Sequence, residues 1–465
     1  MVSQTENNFA AELCVLRIEP PREDETFEKG RTGSAEVSEP SNEEELSYPE
    51  GGLEAWLVVF GSFCGMLCCY GYMNSISTYQ AYLSTHQLRD YSGSSTGWIF
   101  SIYISLTFLC SIFVGPIFDA QGSRVLVLVG SALMMLSIML MGVCTEYYQF
   151  LITFGILGGV GTSLVVTPAT TAIGHFFMTT RGYATGIACT GGSVGGVVFP
   201  LMLEALFPKG WGWATRIQGF VFLILLTLAN LLIRVRLKPT VNAKLFPLPN
   251  PRIFKQVDFL IVTVAAFFLE WGLFVPVTYL TSYCVNSGAF SPTFAYQVIA
   301  IYNSTSTVGR WLSGWLADKF GAYNVMIVMA FFCSSLSLGL WLPAAAFANG
   351  NDSITENSGL AGSIYSLTIA YAVLMGIASG SNISLAPVCV SKLCDTRQYG
   401  EYYGMCYAVV GFGTLVSVPI AGAIIGSDRL YWAGALFCGL CYTIALLGYI
   451  TIRVAKVGSN VATKY

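Results

Sequence analysis

The same corner is written twice in this sequence, each time at the end of an apolar run long enough to cross a bilayer. The first copy reads Gly115-Pro-Ile-Phe-Asp119-Ala-Gln-Gly122, followed by Arg124, and the second reads Gly314-Trp-Leu-Ala-Asp318-Lys-Phe-Gly321. Prolines repeat with the corners: Pro168 and Pro200 are spaced as Pro387 and Pro419 are. A chain that repeats its punctuation in membrane-grade composition points to two related halves around a path through the bilayer, the arrangement of secondary carriers.

Composition agrees. Hydrophobic residues make up 54% of the 465 and charged residues 11%, whereas a soluble chain carries about a quarter charged. Apolar runs of about 20 residues, the length that spans a bilayer core, fall at 55–76, 97–118, 124–144, 148–171, 183–207 and 216–236. Six more fall at 257–284, 294–317, 322–346, 361–385, 401–425 and 430–453. The expected fold is an all-α membrane protein of twelve transmembrane helices in two pseudo-symmetric six-helix halves, 51–236 and 257–453. The segment 237–256 between them holds Pro239, Pro247, Pro249 and Pro251, which stop helix continuation and mark a linker.

Charge is distributed unevenly. Residues 1–50 hold thirteen acidic and four basic side chains, so this opening is net −9 and the remainder +6. Rich in Glu and Ser and poor in aromatics, it reads as a disordered acidic tail. It has neither the basic flank nor the apolar core of a cleavable signal peptide. With 1–50 and the short tail 454–465 placed in the cytoplasm, the inside loops and C-terminal tail hold fourteen Lys and Arg and the outside loops four. That bias predicts a multi-pass protein with both termini cytoplasmic, in the plasma membrane. Asn351-Asp352-Ser353, in an outside connection, matches a glycosylation acceptor.

The fourteen cysteines sit mostly inside apolar runs, without metal-ligand spacing, and there are two histidines. Small apolar packing is the reading for these thiols, and neither a metal nor a cofactor is expected. Gly155 with Gly159, Gly191 with Gly195 and Gly192 with Gly196 form G-x-x-x-G spacings that let membrane helices approach closely.

Two segments resemble the signatures of the monocarboxylate porter family of the major facilitator superfamily, in its fungal branch. One is Pro49-Glu50-Gly51-Gly52-Leu-Glu-Ala-Trp56, entering the first helix. The other is Gly174-His175-Phe-Phe-x-x-x-Arg181-Gly-x-Ala184-Thr-Gly186-x-Ala-x-x-Gly191-Gly-Ser193-x-Gly195-Gly. With the two Asp corners, the resemblance covers roughly 49–455. It implies the major facilitator fold, a substrate cavity between the halves and alternating access. At two positions the chain departs from the family's animal lactate carriers. Asn74 stands where they have a lysine, and Ser306 stands where they have an Asp one turn before the residue matching Arg310. The set associated with proton-plus-lactate binding is therefore incomplete.

The residues expected to carry chemistry are the few charges at depth. Glu270 follows about a dozen mostly apolar residues after Asp258, near mid-membrane at about 1.5 Å per residue. Arg310 lies two turns, about 12 Å, before Asp318. Because lipid-facing charge is costly, both should face the cavity or each other. Asn303 and Ser306 precede Arg310 by seven and four positions and form a polar stripe with it. Asn74, Tyr302 and Asn382 are further cavity candidates, each with the competing reading of a helix–helix hydrogen bond. The blander readings are snorkelling for Arg310 and a neutral, hydrogen-bonded acid for Glu270. Asp119 and Asp318, with Arg124 and Lys319 beside them, are candidate gate residues. Each Asp could pair with basic groups or with a helix N-terminus of the other half, or simply cap the helix that follows it.

These features point to a secondary carrier of a small organic solute, an organic anion moved with protons being the sharpest form. Its expected partners are that solute, protons and the bilayer, with no nucleic acid. Export of a fungal secondary metabolite is the alternative, and a non-transporting nutrient sensor a further one. A membrane enzyme would need a nucleophile–base or metal constellation, which is not seen. An ATP-driven pump would need a phosphate-binding Gly-rich loop, and a channel would not need two gating corners.

Overall fold

The computed structural model describes residues 47–237, 247–349, 358–426, 428–458 and 463–464. The acidic opening up to residue 46, the Asn351 acceptor and the linker residue Pro239 lie outside the described residues. The first six helices are α1 Gly52–Thr85, α2 Ser95–Gln121, α3 Arg124–Met141, α4 Tyr147–His175, α5 Arg181–Lys209 and α6 Trp211–Leu232. The second six are α7 Val257–Asn286, α8 Pro292–Phe320, α9 Ala322–Asn349, α10 Gly359–Ser391, α11 Thr396–Ile425 and α12 Tyr431–Val457. All twelve expected runs are helices, with boundaries shifted by a few residues.

Eleven of these are both long and apolar enough to span a membrane. The exception is α8, 29 residues long but interrupted by Asn303, Ser306, Arg310 and Ser313. Its polar middle makes sense because that face packs against α5 and α10, while Val308 and Trp311 on the other face are exposed. The outer helices show the opposite pattern. Leu128 on α3, Ile224 on α6, Phe331 on α9 and Leu447 on α12 are exposed, as lipid-facing side chains are.

The repeated prolines occupy matched places. Pro168 and Pro387 lie inside α4 and α10, and Pro200 and Pro419 inside α5 and α11. α1 is interrupted at Ser75, whose hydroxyl donates to Gly71 O at 2.8 Å, and continues through Thr85 rather than ending near 76.

The start of α1 and the end of α12 lie at one face of the bundle. There Lys456 at the end of α12 pairs with Asp258 at the start of α7. Arg453 donates to Asn324 Oδ1 of α9 at 2.8 Å. Glu50, just before α1, clamps the α4–α5 turn: its carboxylate accepts from Met178 N, Thr179 N and Thr180 N at 2.8, 2.7 and 3.2 Å. Burial alone would raise the Glu50 carboxyl, but these backbone donors outweigh it and hold it below its ordinary value. A depressed carboxylate stabilises the folded state above its unfolded pKa and loses that contribution as pH falls through the folded one. The clamp is therefore fully formed at neutral pH. Thus the two signature segments, far apart in sequence, touch.

Candidate functional site

Each residue of the repeated corner has a separate task. The final glycines, Gly122 and Gly321, sit at φ +85° and +95° and end α2 and α8. Their N–H groups close back on Phe118 O and Ala317 O, both at 2.8 Å, as left-handed C-terminal glycines do. The first glycines permit close approach. A Cβ on Gly115 would strike the Gly400 backbone of α11, and one on Gly314 would strike the Gly182 backbone of α5.

Between them, each Asp reaches across to the other half. Asp119 accepts from Gly400 N at 2.9 Å and Glu401 N at 2.7 Å. Asp318 accepts from Gly182 N at 2.9 Å and Tyr183 N at 2.7 Å. Each carboxylate therefore caps the first turn of a helix in the opposite half, α11 or α5, rather than the helix that follows its own corner. Such a cap is worth about 1 kcal/mol. Arg124 and Lys319 do not pair with these carboxylates among the described residues. Arg124 is exposed, and Lys319 Nζ lies over the Trp315 ring at 3.7 Å.

A third link was not anticipated from the sequence. Arg181, buried, donates to Phe177 O and Gly174 O, both at 2.9 Å, and to Thr396 Oγ1 of α11 at 3.2 Å. Tyr48 OH shares that same Thr396 hydroxyl at 2.8 Å. Arg181 counted among loop charges because it follows a polar turn, and nothing in the sequence announces Thr396. His175 lies buried against the Phe118 ring, without a hydrogen-bond partner for either ring nitrogen among the described residues.

From this closed face, hydrogen bonds between the halves continue to mid-depth along both seams. On α2–α11, Ser111 Oγ donates to Gly404 O at 2.9 Å and Ser105 Oγ to Gly411 O at 3.0 Å. On α5–α8, Arg310 Nη1 donates to Cys189 O at 2.6 Å and Asn303 Nδ2 to Gly196 O at 3.4 Å. Between them, Ser193 Oγ donates to Ser306 Oγ at 3.3 Å.

Where these ladders end lies a narrow cavity of about 40 Å³. Arg310, Glu270, Asn303, Ser306, Tyr302 and Asn74 all line it, so six residues from α1, α7 and α8 are brought to one place. Asn382 is not among them: it is buried and donates to Tyr442 OH at 3.2 Å, joining α10 to α12. Asn74 Nδ2 donates to Gly192 O at 3.3 Å, and Tyr302 OH meets Ser379 Oγ at 2.6 Å. The walls also include Tyr70, Phe108 and Phe274, which apolar runs conceal. Tyr70 precedes Asn74 by one helical turn, and that spacing was the available signal.

Arg310 is held but not saturated. Its Cζ lies 6.0 Å from the Tyr70 ring centroid, and its Nε is buried with no hydrogen-bond partner among the described residues. A Cβ on Gly192 would collide with Arg310 Nη1 and Tyr70, so that glycine makes room for the guanidinium. Glu270 lies within electrostatic reach of Arg310, yet the two form no ion pair among the described residues. Opposite charges therefore face one cavity without neutralising each other by contact. A buried, unsaturated guanidinium is a demanding group to leave unmatched, and an anionic ligand group would match it.

A bundle of this architecture, with two half-spanning seams and a polar cavity where they end, is a membrane carrier fold. The Major Facilitator Superfamily profile matches residues 58–354, and the chain belongs to that superfamily. It is 35% identical over 414 residues to "MFS-type transporter 1" of Ophiocordyceps sp., covering 88% of this chain and 87% of that protein. It is 34% identical to the riboflavin transporter MCH5 of Saccharomyces cerevisiae, over 92% of this chain and 83% of that one. To the aspyridones efflux protein apdF of Emericella nidulans it is 34% identical, over 84% and 75%. Among solved structures, FucP, a major facilitator superfamily transporter in the outward conformation, superposes with a TM-score of 0.62 at 16% identity. That match covers 86% of this chain and 99% of FucP.

The corners make a prediction. Asp→Asn keeps an acceptor oxygen but removes the charge, so each substitution should weaken the closed face by about 1 kcal/mol, roughly fivefold in population. Cys189 lies behind that face and is buried. In the Asp119→Asn/Asp318→Asn variant its modification by N-ethylmaleimide, followed by peptide mass spectrometry, should rise by at least fivefold. An unchanged labelling rate would reduce both residues to turn formers.

Proposed function

We propose that the protein is a proton-linked carrier of an organic anion of the monocarboxylate porter type, working by alternating access, with Arg310 binding the substrate's charge and Glu270 carrying the proton. One observation supports this most: Arg310, with its unpartnered Nε, and Glu270 face the same inter-half cavity without touching. In the empty carrier Glu270 offsets the positive charge of Arg310, and an arriving substrate anion competes with it for that charge. When the anion wins, the displaced Glu270 charge in a low-dielectric site favours taking up a proton. Substrate and proton then travel together.

With both termini cytoplasmic, as the Lys and Arg bias favours, the closed face is the inner one. The cavity is smaller than the roughly 300–1,000 Å³ of a site enclosing a drug-sized ligand, so loading requires the outer helices to part. The plasma membrane suits either direction of transport. Export of a secondary metabolite is the second reading, favoured by the efflux relative and by aromatic walls at Tyr70, Phe108 and Phe274.

The test is transport in proteoliposomes with an imposed pH gradient, using a panel of radiolabelled carboxylates, riboflavin and aromatic polyketides. Accumulation of an anionic substrate against its gradient, abolished by a protonophore, is the expected result. Accumulation indifferent to the pH gradient would remove proton coupling, and equal transport of a neutral analogue would remove the anion site.

A further inference from the structure

We propose that the pocket between the end of α8 and the start of α9, at the face where α12 ends, is a binding site for an anionic glycerophospholipid. This pocket, of about 340 Å³, is separate from the substrate cavity. Its depth is apolar, formed by Leu316, Phe320, Val325, Val328 and Met329, and its mouth carries Lys319, Lys464 and Asn324.

The polar mouth is a built feature rather than two loose lysines. Arg453, itself buried, donates from Nε to Asn324 Oδ1 at 2.8 Å and from Nη1 to Gly458 O at 2.5 Å. Asn324 Nδ2 in turn donates to Thr463 O at 3.1 Å, and Arg453 Nη2 reaches the same carbonyl at 3.4 Å. These bonds hold Gly458 and Thr463 against the α8–α9 corner, and Lys464 lies at the pocket. On the other side, Lys319 Nζ rests on the Trp315 ring at 3.7 Å, at a helix end where aromatic residues mark membrane interfaces. Among the described residues, neither Lys319 nor Lys464 makes an ion pair. The neighbouring carboxylate, Asp318, is turned away onto α5.

The shape selects the ligand. A soluble anion would use the lysines but leave the apolar slot wet. A neutral lipid would fill the slot but leave two cations unmatched. Phe320 and Val328 are exposed on the lipid side, so the slot opens sideways into the bilayer. An acyl chain entering there, one to two helical turns deep, brings its phosphate and headgroup to the lysines. The bound lipid would brace the corner carrying Asp318.

Native mass spectrometry of the full-length protein tests this, in mixed micelles of detergent with dioleoylphosphatidylserine or dioleoylphosphatidylcholine. The wild type should retain one phosphatidylserine adduct and discriminate against phosphatidylcholine. Lys319→Gln/Lys464→Gln should lower phosphatidylserine affinity roughly thirtyfold, since each of the two lysines near an anionic headgroup contributes on the order of 1 kcal/mol. Val328→Trp, which fills the slot but keeps both lysines, should lose the adduct as well. Equal retention of the two lipids, or an unchanged adduct in the double lysine variant, would overturn the proposal. So would an unchanged adduct in Val328→Trp, or equal retention of the soluble headgroup glycerophosphoserine, which would leave a plain anion site.

Discussion

Replacing Arg310 with lysine should cut transport of the anionic substrate at least tenfold, although the charge is kept. The guanidinium at this position spends Nη1 on Cys189 O and stacks near Tyr70, while Nε remains for a ligand. An ammonium cannot hold the α5 carbonyl and present a second, fixed donor at once, because its charge is a point on a flexible stem. A hydrogen bond to a charged group is worth about 1.5–3 kcal/mol, or roughly ten- to a hundredfold in kcat/KM. A structural role makes a different forecast. If Arg310 mattered only for joining α8 to α5, Arg310→Lys would slow a neutral amide analogue of the substrate as severely as the anion. Anion recognition predicts that the slow basal transport of the amide is unchanged. Normal anion transport in Arg310→Lys would remove the residue from the site.

The fold was legible because its signals are collective. Apolar runs of bilayer length and a repeated corner do not depend on which neighbour each helix meets. The site was legible in part for a similar reason: Glu270, Arg310, Asn303 and Ser306 are polar groups where polarity is costly, and cost marks them whatever surrounds them. Asn382 met the same test and lies elsewhere, since an amide inside a bundle can be satisfied by one hydroxyl such as that of Tyr442. The partners were not legible. That Asp119 caps α11 and Asp318 caps α5 depends on glycines at 400 and 182; each stands four residues before another glycine, 404 and 186, but that repeated spacing does not say which corner it meets. Tyr70 and Phe108 were hidden by composition, because an aromatic wall of a cavity and a packed aromatic read alike in an apolar run. Glu50 shows the same limit: its motif was visible, but its grip on residues 178–180 is a contact across the whole first half.

Glu270→Gln should separate two activities that the wild type couples. Glutamine is close to glutamate in size and keeps hydrogen-bonding capacity, so the buried wall formed with Tyr70 and Phe274 is preserved. What it cannot do is change charge. In the wild type, the carboxylate can offset Arg310 while the cavity is empty and must be neutralised once an anion takes its place. The variant leaves Arg310 without that internal counter-charge in every state, so anion binding should be at least as tight as in the wild type. Return of the empty carrier should be slow, because the cavity must close on a guanidinium that has neither an anion nor an internal counter-charge beside it. Substrate exchange, which never requires the empty carrier to reorient, should persist within about twofold, whereas accumulation driven by a pH gradient should fall at least tenfold. Counterflow and gradient-driven uptake in the same vesicles give both numbers. If both fall together, Glu270 is part of the cavity's packing. If gradient-driven accumulation survives, the proton travels by another group and the coupling assigned to Glu270 is wrong. Only the split, with exchange retained and accumulation lost, ties the proton to the carboxylate that faces Arg310.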